Sequence, residues 1–235
     1  MPLIKNLIGR VARNGVADTC RYARSRMQYA FNLLVARRAE RSYGLDCFRR
    51  VDLESLGIVD PECVPYEPTD WLTFREFIKR RPPKQGDVLL DLGSGMGWAV
   101  LMAGMYPFQK VIGVEISPRL NAIAEKNLSR VCENLRCKSI RFVTSDAAQY
   151  VIPQEVTHIY MYNPFCGQIL KRVFQNIQQS VLTHPRRCVI MFKNTVNLER
   201  DVGACDWLTL VATFKSRSLD GNRCAIFECH EGVTY

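Results

Sequence analysis

The stretch VLLDLGSGMGWAV, residues 88–100, is an apolar run that reaches Asp91 and then places glycines at positions 93, 95 and 97. Glycines let the backbone adopt positive φ and come close to a ligand. In open α/β sheets, ligands bind at the carboxyl ends of the strands, and a glycine-rich loop after the first strand commonly holds a nucleotide. The stretch therefore predicts an α/β fold with a nucleotide-like ligand at the end of its first strand.

The rest of the chain alternates between strand and helix patterns. Strand patterns cover 87–92, 110–116, 139–145, 157–163 and 187–193, and helix patterns cover 71–80, 98–106, 118–134 and 167–182. Strands separated by helix-length segments predict βαβ units and a parallel sheet. Two further strands, 207–216 and 223–230, are joined by the turn signal Asp220-Gly221-Asn222 and must be antiparallel. We expect a mostly parallel sheet closed by a C-terminal antiparallel hairpin.

The first 50 residues carry most of the charge. They hold 11 basic residues against three acidic ones, which is +8 of the net +9. A first helix is predicted from the apolar stripe Leu3, Ile4, Leu7, Ile8 and Val11, with a break at Asn14-Gly15. A second helix is predicted from Thr19 to Tyr43, ended by Gly44, with the inner face Met27, Ala30, Phe31, Leu34 and Val35. We divide the chain into a basic helical extension, residues 1–50, and an α/β domain, residues 51–235.

The basic extension leaves several interpretations open. It can be a structural cover or lid, with its charges on a solvated face. It can also contact an anionic membrane surface, RNA or another acidic partner, or serve as a transit peptide in a eukaryotic host, although it holds few serines. Residues 51–235 hold a net charge of only +1, which argues against a basic cleft across the main domain.

Composition and cysteine usage point to a globular protein of a reducing compartment. Hydrophobic residues make up 47% of the chain, yet no stretch reaches the roughly 18 apolar residues of a membrane-spanning helix. Lys5, Arg10 and Arg13 interrupt any apolar core of a signal peptide, so we expect a cytoplasmic location. The ten cysteines form no C-x-x-C pair and the three histidines are scattered, so we expect reduced thiols and no metal site.

Polar residues follow four successive strands of the predicted sheet. Asp91 and the glycine loop follow the first, Glu115 the second, Ser145-Asp146 the third and Asn163-Pro164-Phe165 the fourth. The carboxyl ends of parallel strands meet at one edge of the sheet, where ligands bind near the switch in strand order. The sequence therefore predicts one site built from all four loops.

The residues around the glycine loop narrow the choice of nucleotide. The dinucleotide fingerprint G-x-G-x-x-G needs a third glycine, and Trp98 occupies that position here. Asp91 would repel a pyrophosphate but suits a cationic amino group, while Glu115 can accept hydrogen bonds from two ribose hydroxyls. No G-K-[ST] follows the loop, which excludes a P-loop. A nucleoside with an ammonium group, S-adenosylmethionine, satisfies these conditions.

The motifs DLGSGMG, GVEIS and SDA resemble those of class I S-adenosylmethionine-dependent methyltransferases, over residues 66–235. The resemblance implies a Rossmann-like, three-layer fold with a seven-stranded sheet. More narrowly, YEPTDWLTFREF, DLGSGMGWAVLMAG, VIGVEISPRLNAIAEKNL and YNPFCG resemble a group of small, mostly uncharacterised bacterial-type methyltransferases with distant likeness to Dot1-type lysine methyltransferases. Trp98 stands where that group often has a basic residue.

The resemblance also implies roles for individual residues. Asp91 would lie near the methionine ammonium, Glu115 would bind the ribose hydroxyls, and Asp146 would accept the adenine amine. The other expected cofactor-binding residues are Tyr66, Thr69, Gly93, Ser94, Gly95, Gly97, Ile116, Ala147 and Asn163. The product would be S-adenosylhomocysteine. Tyr66 and Thr69 lie in the irregular connector 45–69; they would close over the cofactor, or Thr69 or Asp70 would cap the next helix while Tyr66 packs.

Transfer of a sulfonium methyl group is an in-line displacement that mainly needs alignment of the acceptor. Asn163, Pro164 and Phe165 are the expected catalytic residues, because the NPF stretch resembles the [DN]-P-P-[FY] loop of methyltransferases that act on amide or amine nitrogens. In that family the Asn side chain and a proline carbonyl accept hydrogen bonds from the nitrogen. We therefore expect a nitrogen acceptor on a protein or small molecule. The alternatives are an RNA methyltransferase that uses the basic arm and a non-catalytic module that binds S-adenosylmethionine.

Overall fold

The computed structural model describes residues 2–218 and 221–229; within the first 14 residues it describes side chains only at positions 11 and 13. A seven-stranded sheet forms the centre of the protein. Its strands are β1 Val88–Leu92, β2 Lys110–Glu115, β3 Ile140–Thr144, β4 His158–Tyr162, β5 Val189–Lys193, β6 Leu208–Lys215 and β7 Arg223–Cys229. Each coincides with a predicted strand, apart from small differences at the ends. The predicted end of the last strand at His230, and Asp220 in the turn, lie outside the described residues.

The strands follow the order β3-β2-β1-β4-β5-β7-β6 across the sheet. The first five are parallel, and β7 runs antiparallel to both of its neighbours, β5 and β6. The strand order reverses between β1 and β4, which places the switch point at the carboxyl end of β1. The α/β fold with a mostly parallel sheet and a C-terminal antiparallel hairpin is confirmed.

Helices cover both faces of the sheet. They are α1 Pro2–Tyr43, α2 Trp71–Arg80, α3 Trp98–Gly104, α4 Pro118–Val131, α5 Gly167–Thr183 and α6 Val196–Asp201. Leu89 and its neighbours on one face share a core with α2, α3 and α4, whereas Leu90 and the other face pack against α5 and α6. The three-layer arrangement is therefore confirmed. The short helix α6 was not predicted from the sequence.

The long helix α1 has the two breaks that the sequence predicts. Gly15 leaves helical geometry, with φ 82° and ψ 168°, so α1 consists of two helices joined at a kink. Gly44 ends the second one in the left-handed region and donates its N–H to the carbonyl of Glu40. The side chains of Leu3, Ile4, Leu7 and Ile8 lie outside the described ones, so their predicted stripe is not assessed. None of the helices in the described chain is long and apolar enough to cross a membrane.

The predicted inner face of α1 is wrong. Met27, Phe31 and Leu34 are 67%, 45% and 64% exposed, and Ala30 is exposed as well; only Val35 of the predicted set turns toward the body. The orientation of α1 is explained by the hydrogen bonds of a polar side chain, Asn32. The Asn32 side chain accepts the N–H of Leu72 at 3.1 Å and donates to the Asp70 carboxylate at 3.3 Å and to the backbone of the β6–β7 turn. These bonds turn the Asn32 face inward and the apolar stripe outward.

The connector 45–69 is irregular, as predicted, apart from a 3-10 turn at Leu53–Leu56 and isolated β-bridges of Val51 with Tyr66 and of Cys63 with Phe165. Its beginning is buried in the same core as α2 and α3, through Leu45 and Cys47. The division of the chain at residue 50 stays a prediction. At its end, Asp70 caps α2 by accepting the N–H of Thr73 at 2.9 Å, so the capping residue is Asp70 rather than Thr69.

Candidate active site

The carboxyl ends of the parallel strands open into a cavity of about 930 Å³, a volume that includes its mouth. Cavities of a few hundred to about 1,000 Å³ are usual for small-molecule sites. The structure brings most of the sequence-predicted residues to its wall: Tyr66, Thr69, Asp91, Gly93, Ser94, Glu115, Ile116, Asp146, Ala147, Pro164 and Phe165. Gly95 and Gly97 lie in the loop beneath it, and Asn163 lines an adjoining opening instead.

The glycine loop is most tightly enclosed at Gly93 and Gly95. Gly93 has φ +81°, and a Cβ there would overlap the Cβ of Pro164. Gly95 has φ +54°, and a Cβ there would overlap the ring of Tyr66. Both positions require glycine because of backbone conformation and of space. The loop therefore lies in direct contact with the connector on one side and the NPF segment on the other.

Asp91 is the most unusual charged group of the cavity. Only 2% of the residue is exposed, and its carboxylate has no hydrogen bond or ion pair with the described side chains and backbone. Burial raises the pKa of Asp91 well above its ordinary value, and the nearby Glu115 charge raises it further. A carboxylate in this position is stabilised by a cation bound in the cavity.

Glu115, at the end of β2, is held in a fixed orientation. One carboxylate oxygen accepts the N–H of Gly95 and the other accepts the N–H of Ser117, both at 2.9 Å. Burial raises the pKa of Glu115, while these backbone hydrogen bonds act in the opposite direction. Each oxygen keeps acceptor capacity beyond these bonds, so the group can also bind two hydroxyls of a ligand.

Asp146 follows β3 and lines the cavity. Its carboxylate accepts the N–H of Ala148 at 2.8 Å and a side-chain N–H of Gln149 at 3.1 Å. Ile116 and Ala147 add apolar side chains to the lining of the same cavity. Residues 115–116 and 146–147 thus supply both acceptors and apolar surface, which suits a flat ring that carries an amino group.

The loop after β4 places Asn163 beside the cavity. Asn163 has φ 42° and is buried, and its side-chain oxygen has no hydrogen-bond partner among the described residues. The Pro164 carbonyl already accepts the N–H of Val64 at 3.0 Å, so the loop is joined to the connector. Phe165 lines the cavity but is buried in the core below α5. Of the three residues, Asn163 is the one with an unsatisfied acceptor.

Comparison with known proteins gives similarity at the level of structure. No protein-family model matches the chain, and no curated protein does. An RNA methyltransferase from Salinibacter ruber, solved with S-adenosyl-L-homocysteine, superposes with a TM-score of 0.51 at 22% identity, over 71% of this chain and 96% of that one. The chain therefore has a Rossmann-like fold of the kind found in such methyltransferases.

Two further structures with the methyltransferase fold are similar. A ribosomal protein L11 methylase from Lactobacillus delbrueckii subsp. bulgaricus has a TM-score of 0.52 at 13% identity, over 68% of this chain and 77% of that one. TrmN from Thermus thermophilus has a TM-score of 0.51 at 17% identity, and the match spans 68% of this chain and about half, 48%, of TrmN. Identities this low establish the fold of this chain and nothing finer.

The residues of this methyltransferase fold fit S-adenosylmethionine. Asp91 supplies an unpaired buried carboxylate for an ammonium group, Glu115 supplies two oriented oxygens for a ribose, and Asp146 supplies a further acceptor in the cavity wall. Tyr66 donates its hydroxyl to the Cys47 carbonyl at 2.8 Å, which holds its ring over the glycine loop. Within the described residues, no cluster of His, Cys, Asp and Glu side chains could hold a metal ion.

The lining residues that the sequence analysis missed include Glu67, Trp98, Tyr160 and Tyr162. Tyr160 is fully buried in β4 and shares a 2.8 Å hydrogen bond with Thr69. The Tyr162 hydroxyl donates to Glu67 at 3.2 Å, and Arg50 donates to the same carboxylate at 2.7 Å. The sequence did contain a signal for Tyr160 and Tyr162, because a tyrosine hydroxyl in a buried strand needs a polar partner.

A second cavity of about 1030 Å³ adjoins the first. Glu67, Thr69, Trp98 and Tyr162 line both of them. Its other walls are the inner face of α1 and aromatic side chains, together with the buried Lys193. The Lys193 ammonium lies 3.0 Å from the Asp70 carboxylate and 3.7 Å from the centre of the Tyr162 ring.

Proposed function

We propose that this protein is an S-adenosylmethionine-dependent methyltransferase. The observation that carries the proposal is the buried and unpaired Asp91 carboxylate beside the oriented Glu115, in a cavity of suitable size. A pyrophosphate would be repelled by this pair of carboxylates, whereas an amino acid attached to a nucleoside is bound by them. The methyltransferase fold of the chain supports the same reading.

The chain's own residues would contribute mainly binding and alignment. S-adenosylmethionine, when bound, supplies a methyl group already activated for displacement. Asp91 and Glu115 would fix its amino acid and ribose, and the aromatic ring of Tyr66 would restrict the loop beneath it. Alignment of two reactants in this manner contributes on the order of 7–11 kcal/mol to lowering a barrier.

We infer that the acceptor occupies the second cavity. It meets the first at Thr69 and Trp98, so a molecule held there would face the methyl donor. Asn163, whose side-chain oxygen is buried without a partner among the described residues, lines an adjoining cleft together with Glu67 and Tyr162. An unsatisfied buried acceptor favours a nucleophile with an N–H group, which supports a nitrogen atom on a protein or small molecule.

The finer assignment rests on the sequence motifs. They favour the small bacterial-type group with distant likeness to Dot1-type lysine methyltransferases. A cytoplasmic location is our proposal from composition, supported by the ten cysteines, which are all free thiols. An RNA substrate is the second candidate, supported by the concentration of positive charge in the first 50 residues.

Cofactor binding is tested by isothermal titration calorimetry with S-adenosylmethionine and S-adenosylhomocysteine. We expect both to bind the wild type, and Glu115→Gln, which keeps the size of the side chain, to weaken both. Asp206→Asn, on an exposed carboxylate away from the cavity, is the control and should bind normally. Binding that is unchanged in Glu115→Gln would refute the proposed site.

The acceptor class is tested by incubating the protein with methyl-labelled S-adenosylmethionine and a cell extract. Label in protein or in small molecules supports the proposal, and label in RNA assigns the second candidate. Cofactor binding with no label in any fraction, at several extract concentrations, would instead favour a non-catalytic binding module. Each fraction is compared with the same reaction carried out with the Asn163→Gly variant.

A further inference from the structure

The outward face of α1 carries a continuous apolar stripe. The outer stripe consists of Val16, Cys20, Met27, Phe31 and Leu34, all of which are exposed. At about 100° per residue, these five side chains project within about 40° of the direction of Met27. The helix thus packs on the body with one face, through Asn32 and Ala39, and presents a second apolar surface to its surroundings. Contiguous exposed apolar surface on a folded protein usually marks an interaction site.

Arginines border the outer stripe. Arg24, Arg37, Arg38 and Arg41 are exposed and project within about 80° of the same direction. The two acidic residues of 16–43, Asp18 and Glu40, project about 140° or more away from it. Within about 80° of the direction of Met27, the helix therefore carries exposed apolar side chains, and its charged side chains are all positive.

We propose that the outer stripe of α1 docks the protein on an anionic lipid surface. A helix lies in the membrane interface when a narrow apolar face enters the acyl boundary and flanking basic side chains reach the lipid phosphates. The outer stripe and its arginines have this composition, and the helix is not apolar enough to span a bilayer. The basic flanks provide the charge complementarity that fits negatively charged headgroups.

Two other occupants fit less well. A second copy of the chain would place the same arginines against each other, which like-charge repulsion opposes. RNA would pair with the arginines but would leave Met27, Phe31 and Leu34 without a partner. A lipid surface can contact both the apolar side chains of the outer stripe and the arginines beside it.

The test is flotation of the full chain with vesicles. The wild type should float with vesicles of phosphatidylcholine and phosphatidylglycerol in equal parts, and much less with phosphatidylcholine alone. Arg37→Glu/Arg38→Glu should lower the partition coefficient by at least roughly 30-fold, because the loss of each arginine costs on the order of fivefold and each introduced carboxylate is repelled by the anionic surface. Met27→Ser/Phe31→Ser/Leu34→Ser should lower it at least about tenfold.

Matched controls carry the same changes elsewhere on the surface. Lys126→Glu/Arg136→Glu alters the net charge by the same amount, and Val59→Ser/Val151→Ser/Leu182→Ser removes exposed apolar side chains from the body. Both controls should float like the wild type. All substituted side chains are exposed, so the variants should fold, and binding of S-adenosylhomocysteine checks this independently.

Several outcomes would overturn the proposal. Equal flotation with neutral and anionic vesicles, or equal losses in the controls, would remove the role of the stripe and its arginines. Light scattering that shows a dimer which the serine variant dissociates would assign the stripe to a second copy. Fluorescence anisotropy that shows binding to a labelled oligonucleotide of RNA, lost in the arginine variant but not in the serine variant, would assign RNA when vesicles are not bound.

Discussion

Asp91 is a residue whose burial works against the stability of the protein. The folded state raises the pKa of Asp91, so the folded protein keeps this proton to a higher pH than the unfolded chain does. Its contribution to stability is therefore complete below the ordinary pKa of an aspartate and is lost as the pH rises through the raised value. Glu115, whose pKa is also raised, adds to the same trend.

We expect Asp91→Asn to stabilise the ligand-free protein and to weaken cofactor binding. At pH values above the raised pKa of Asp91, removal of the buried charge should raise the free energy of unfolding by about 1–3 kcal/mol, and this gain should shrink as the pH falls through that pKa. Affinity for S-adenosylhomocysteine should fall about 10- to 100-fold, because the ammonium loses its charged partner. Urea unfolding over a range of pH and calorimetric titration measure the two effects. A variant less stable than the wild type at every pH would contradict this account.

Asn163→Gly is expected to separate cofactor binding from transfer. Glycine adopts the φ of 42° without strain, so the substitution removes the side-chain acceptor and keeps the backbone path. The affinity for S-adenosylhomocysteine should stay within about twofold, while the transfer rate should fall about 100-fold, the usual cost of losing one positioned hydrogen-bonding group. Asn163→Ala should lose as much activity and also some stability, because alanine is strained at this φ. Unimpaired transfer by the glycine variant would exclude Asn163 from the reaction.

At the scale of elements, the centre of the sheet was predictable because its strands are mostly apolar runs. Central parallel strands are buried on both faces, and β1 and β5 show this over their whole length. The orientation of α1 was not predictable in the same way. Its sequence carries an apolar stripe that hydrophobic periodicity places inward, whereas the hydrogen bonds of Asn32 to distant parts of the chain decide the outcome.

The docking of α1 should depend on Asn32. Asn32→Ala leaves the Leu72 N–H without its partner and removes a donor to Asp70, so we expect a loss of about 1–3 kcal/mol in the free energy of unfolding. Gln28→Ala, one turn earlier on the same half-buried face, should lose much less. Urea unfolding measures both variants, and hydrogen exchange should show faster exchange in α1 for Asn32→Ala alone. Equal losses in the two variants would mean that Asn32 does not determine the packing of this helix.

In the site, too, some residues could be predicted from the local sequence, whereas others depend on segments that lie far apart in the chain. The cavity-lining residues at the strand ends were predictable, because each follows its strand directly and topology brings the ends together. The second cavity was not, since α1, the connector and β4 form it from segments far apart in the chain. The pairing of Tyr162 with Glu67 belongs to this second kind, as it joins residues 95 positions apart.

At the scale of the whole molecule, ligand binding should be visible as stability. A ligand that binds only the folded state at a hundredfold excess over its Kd adds about 2.7 kcal/mol. For a chain of this length we therefore expect S-adenosylhomocysteine to raise the Tm of the wild type by roughly 5–11 °C. At the same ligand concentration, the Tm of Asp91→Asn should rise by less than half as much. Differential scanning calorimetry measures both, and an equal rise would argue that Asp91 does not touch the ligand.

The contact between Gly93 and Pro164 limits the substitutions that both positions can accept during evolution. The space that a side chain at position 93 would need is already filled by the proline ring, although 70 residues separate the two positions. The two residues therefore share one volume. A side chain at position 93 would need a smaller residue at position 164 and would still be strained at φ +81°, so the glycine loop and the loop after β4 are constrained together.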